Sequence, residues 1–224
     1  MYRRDYIMRQ IEFMVEVIQR ITGLTAEKRY DAALTVIDES LESLFGLNGT
    51  LITRLFGREP LTQLTFGEEV DMRQAKLLAG ATLLHEAGKI QREQGAGTES
   101  FQSFASALEL FLEALLDDDG TPLPTYTPEV EALVAVLAPY HLPVHLNQLL
   151  LRYYHRLGQL DEAENVLFEM VDQAPGAIQV IEQGIAFYRA ILAENDAVLL
   201  AGNLPRDEAE ASLTELLNLR DNLQ

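Results

Sequence analysis

Apolar positions recur along this chain at spacings of three and four, the rhythm of helices with one face turned inward. Between Tyr6 and Ile21 the residues Ile7, Ile11, Met14, Ile18 and Ile21 keep that spacing. Tyr6, Phe13 and Val17 add a second apolar face, which predicts a core helix packed on two sides. A second helix is expected over 26–45, with Tyr30, Ala33, Leu34, Ile37, Leu41 and Leu44 as its buried stripe and Gly46 as its stop. Turn formers crowd residues 47–67, so one or two short helices are expected there. A long helix is predicted over 68–94, broken by "GAGTE", and another over 100–116 with Phe104, Ala107, Leu108, Phe111, Ala114 and Leu115 inward.

Prolines and turn residues in "DDDGTPLPTYTP" (117–128) forbid regular structure and mark a linker. Beyond it, Thr127 reads as the cap of a helix with Pro128 at its first position and Glu129 and Glu131 in its first turn. That helix should end near Pro139, and "YHLP" leads onward. The stretch "QLLLRYYHRLGQLDEAENVLFEMVDQAP" (148–175) then reads as helix, tight turn, helix, stop. A long helix over 177–200, the turn "GNLP" and a last helix over 206–219 complete the chain. No segment alternates as a strand. The expected fold is all-α, about ten helices in antiparallel hairpins. The expected lobes are residues 1–116 and 128–224, joined by a linker at 117–127.

Composition narrows the function. The chain has 224 residues and is 48% hydrophobic, so it can bury a core and is not a disordered segment. It has no cysteine, which excludes disulfides, thiol nucleophiles and thiolate metal sites. No window approaches the apolar run of about 20 residues that spans a bilayer. No apolar core or cleavage site follows the basic start "MYRRDYIMRQIEF". The expectation is a soluble cytoplasmic protein, away from membranes.

A net charge of −18 argues against nucleic acid, because a phosphate backbone would be repelled. The charge is uneven. No acid lies between Glu131 and Asp161, a window that holds His141, His145, Arg152, His155 and Arg156.

Motifs for chemistry fall short. "GAGTES" (95–100) follows a helix and lacks the Lys of a phosphate loop. "DDDG" (117–120) fails the calcium-loop spacing and reads as a solvated turn. Pro143 breaks the helical face that His141 and His145 would need to share a zinc ion, and His85-Glu86 has no second His at metalloprotease spacing. No serine sits in a nucleophile elbow. The expectation is a protein without catalytic residues, cofactor or metal.

The hairpin resembles the tetratricopeptide repeat (TPR). Leu150 and Tyr154 stand in the first helix, Gly158 at the turn, Ala163 early in the second helix and Pro175 at its end. It departs from that pattern at Leu151 and Met170, where small residues are usual, and at Asn147, where an aromatic is common. Weaker matches occur around Tyr30 and Ala33 and around Phe104 to Ala114. The whole chain also resembles an uncharacterised bacterial family of helical proteins of unknown function, a likeness that implies no activity.

At about 100° per residue, His145, Gln148, Arg152, His155 and Arg156 share one helical face. The repeat resemblance implies that this face lines a groove for a ligand carboxylate, for which the planar fork of Arg is suited. The competing reading is that Arg152 and Arg156 offset Asp161 and Glu162 and favour the helix C-terminus. The expected function is a non-enzymatic scaffold or adaptor that binds an acidic or carboxylate-bearing protein segment. A regulator that senses a ligand or peptide is the alternative, and a homodimer stays open.

Overall fold

The computed structural model describes residues 2–58, 60–117 and 123–223, with side chains from residue 9 onward. The fold is all-α, with eleven helices and one 3-10 helix among the described residues. They are α1 (Tyr2–Ala26), α2 (Tyr30–Phe45), α3 (Gly49–Leu55), the 3-10 helix (Leu61–Thr65), α4 (Val70–Glu93), α5 (Gly97–Leu116) and α6 (Val130–Leu137). After them come α7 (Val144–Leu157), α8 (Leu160–Gln173), α9 (Ile178–Leu192), α10 (Asp196–Ala201) and α11 (Arg206–Asp221). The helices form two compact units, residues 1–142 and 143–224.

In the first unit α4 is the central helix. Leu77, Leu78, Leu83 and Leu84 are buried around it because α1, α2 and α5 all pack on it. Its glycines set how closely neighbours approach. A Cβ on Gly88 would stand 2.9 Å from the Phe104 ring of α5, and one on Gly80 would stand 2.6 Å from Phe45 of α2. At the same crossing Ser100 Oγ donates to the Gly88 carbonyl at 2.9 Å. Glu109 of α5 is buried, and its carboxylate accepts the Leu61 N–H at 2.9 Å, fixing the start of the 3-10 helix. A buried acid thus meets a backbone donor that the helix start leaves unpaired.

Several sequence expectations are corrected. The first helix runs to Ala26 and turns at Lys28, which takes a left-handed φ of 57° where glycine is usual, so α2 starts only at Tyr30. Among the described side chains, helix α1 buries its second apolar face only in part. Met14, Val17 and Ile21 are buried, but Phe13 is 42% exposed, and the polar Gln10 shares the buried stripe. Helix α5 starts at Gly97, because Gly95 (φ 78°) makes the break a single turn. Thr127 does not cap α6. Its N–H and hydroxyl both donate to the Pro124 carbonyl, and Glu129 holds the cap position. The long helix expected over 177–200 is two helices, because the Asn195 side chain accepts the Val198 N–H at 3.1 Å and starts α10.

The division between the two compact units falls after Leu142. Helix α6 packs on α5, with Val130, Leu133 and Leu137 buried, and so belongs to the first unit. Residues 118–122, which hold most of "DDDG", lie outside the described residues.

The second unit is built of two helical pairs, α7 with α8 and α9 with α11. Gly158 closes α7 at φ 73°, a conformation open to a residue without Cβ, while the Gln159 N–H reaches the Tyr154 carbonyl at 3.0 Å. Ala163 of α8 is fully buried. Tyr188 of α9, also fully buried, donates its hydroxyl to Glu164 Oε1 at 2.6 Å, and Ser212 of α11 donates to the same oxygen at 3.1 Å. One carboxylate therefore ties α8, α9 and α11 together.

Candidate functional site

The acid-free window folds into α6, the connection after it, and α7. Leu146, Leu150, Leu151 and Tyr154 turn the apolar side of α7 inward, as their spacing requires. On the other side Arg152, His155 and Arg156 are exposed, and His145 and Gln148 are half-buried. The structure therefore places Gln148, Arg152 and His155 on one line along α7, at intervals of four and three.

Two members of that line are held by α9. Gln148 Nε2 donates to Gln183 Oε1 at 3.0 Å. The His155 ring stands edge-on to Phe187, with centroids 5.4 Å apart at 86°. Gln183 and Phe187 are therefore part of the site, and sequence reasoning missed them. Their spacing of four on α9 mirrors that of α7, but nothing local says that the two helices are neighbours. Leu149 of α7 lies beside Gln148 in sequence but not on this line. It is buried in the core, which leaves half-exposed Tyr153, its ring tilted at 59° to that of Tyr154 with centroids 5.5 Å apart, as the apolar neighbour of the line.

The electrostatics separate the arginines of this unit. Arg206 pairs with Asp196 and donates to the Leu192 carbonyl at 2.9 Å, and Arg220 pairs with Asp221 at 2.9 Å. Arg152 of α7 and Arg189 of α9 are both exposed and make no ion pair among the described residues. Through Arg152 the line carries cationic charge in a chain of net charge −18. Such a face can hold a carboxylate through paired N–H donors and exclude cations by repulsion.

Among the described residues no group of three or more His, Asp or Glu side chains could hold a metal ion. His141 is exposed in the connection before α7, while His145 is the second residue of that helix. No described helix is long and apolar enough to cross a membrane.

Fold and site together define an all-helical protein of packed hairpins with a cationic helix face. The chain belongs to the family described as "Family of unknown function (DUF6483)", whose model matches residues 1–221. No curated protein and no solved structure matches the chain.

Proposed function

We propose that this protein is a non-enzymatic, TPR-like interaction scaffold of the cytoplasm that binds an acidic or carboxylate-bearing protein segment along the α7–α9 face. The observation that carries the reading is Arg152, exposed at the centre of that face and without an ion pair among the described residues, in a strongly acidic chain. The TPR-like element is supported by the hairpin itself, with its left-handed Gly158, fully buried Ala163, and Pro175 just past α8. Gln148 and His155, already ordered by α9, would lose little freedom on binding, which favours affinity.

Exposed charge pairs contribute little singly, so a bound segment needs an apolar residue beside its carboxylates, against Tyr153. The test is fluorescence anisotropy with labelled peptides of Asp and Glu interleaved with Leu or Phe and ending in a free carboxylate. Binding is expected to weaken as salt rises. It should fall about tenfold or more in Arg152→Glu with Arg156→Glu, a pair that reverses charge at solvent-exposed positions. Unchanged affinity in the folded double variant would reject the face.

A further inference from the structure

The first unit holds a partly open pocket of about 280 Å³ lined by α2, α3, α4 and α5, far along the sequence from the α7 face. Its floor is apolar and built from buried core residues, Ile37, Leu84 and Ala87. Its walls are polar. Asp38 and Glu99 bring carboxylates, Thr53 a hydroxyl, and Arg54 a guanidinium.

Two features set this pocket apart from a gap between helices. First, its buried polar groups are fixed. Asp38 Oδ1 accepts the Gly49 N–H at 2.9 Å, and Ser103 Oγ donates to Gln91 Oε1 at 2.7 Å, so the walls are ordered by their own hydrogen bonds. Second, its opposite charges are not spent on each other. Arg54 and Glu99 both line the pocket, yet neither makes an ion pair among the described residues. Arg54 is carried by α3 and Glu99 by α5, so the two signs reach the pocket from different helices.

The geometry points to a binding site for a free α-amino acid with a small aliphatic side chain. Its carboxylate would be held by the Arg54 fork, its ammonium by Glu99 and Asp38, and its side chain by the floor of Ile37, Leu84 and Ala87. The volume of about 280 Å³ lies at the small end of ligand pockets and suits a small molecule. A simple anion would leave Glu99 and Asp38 facing it, and a simple cation would leave Arg54 facing it. A zwitterion satisfies both signs at once. This site lies in residues 34–103 and is independent of the α7–α9 reading, so either can fail alone.

The test is thermal unfolding of the full chain with each of alanine, valine, leucine, isoleucine, serine and threonine at millimolar concentration. N-acetyl, carboxamide and N-trimethyl (betaine) forms serve as controls. At least one free amino acid is expected to raise the midpoint in a saturable way, while its N-acetyl and carboxamide forms do not. A shift given equally by the betaine would mean that the ammonium hydrogen bonds assigned to Glu99 and Asp38 are absent and would overturn the assignment. Arg54→Ala and Glu99→Gln, both at exposed positions, should keep the fold and each weaken binding about tenfold or more by calorimetry. No shift with any of the six, or a shift that survives both substitutions, would also overturn it.

Discussion

His85 of α4 shows how one side chain couples folding to pH. Its ring lies against Phe104, with centroids 5.7 Å apart, and is mostly shielded from water. Burial pulls its pKa below the ordinary 6.5, and Lys89 and Arg92 lower it further, while Glu86 pulls the other way. The unfolded chain therefore takes up this proton before the folded one does as pH falls. The stabilisation is present above the ordinary imidazole pKa and is lost as pH drops through it. Urea unfolding at pH 7.5 and pH 5.5 should show a smaller loss on acidification in His85→Gln than in the parent, since the carboxylates contribute equally to both. An equal or larger loss would mean that His85 is not held neutral. Tyr188 has the same character in the other unit. Burial first, then its hydrogen bond to Glu164, pushes its phenol far above the usual value, so it acts as a permanent donor to that carboxylate. Tyrosine at 188 was legible only as an apolar position. Its hydroxyl role needed Glu164 and Ser212 from two other helices, which no spacing along α9 reports.

Among the elements, the α7–α8 hairpin was the most legible, because its information is local. The Gly158 turn, the apolar side of α7 and the position of Ala163 all follow from spacing within about thirty residues and the rules of helix ends. Ala163 is fully buried where α8 packs along α7, so Ala163→Leu should overpack the crossing and cost about 1–3 kcal/mol in chemical denaturation. An unchanged midpoint would show that the two helices do not approach closely at that point. Element boundaries were less legible. The break after Leu192 depends on the Asn195 side chain competing for the backbone, a contribution of about 1 kcal/mol that apolar periodicity does not register. Lys28, just past α1, takes a conformation that sequence rules assign to glycine.

At the scale of the whole molecule, the boundary between units is the testable matter. Helix α6 buries Val130, Leu133 and Leu137 and packs on α5, although a proline-containing stretch precedes it. A fragment of residues 1–142 is expected to unfold cooperatively with a strong helical signal by circular dichroism. A fragment of residues 1–127 uncovers the apolar surface of α5 and should be less stable and prone to associate. Equal stability of the two would place α6 outside the first unit. The sequence by itself determined that the chain is all-helical, roughly where its helices lie, and which residues of α7 share a polar face. Those properties rest on neighbours three and four positions apart, which the chain writes out directly. Only the tertiary structure decided that Phe13 stays exposed, that Leu149 turns inward, that Gly88 lies against Phe104, that Gln183 and Phe187 complete the α7 face, and that Asp38, Arg54 and Glu99 meet around one pocket. Each of these depends on which helix faces which. That choice is made by the shape and burial of surfaces far apart in sequence, and a periodic pattern is the same whichever partner it meets.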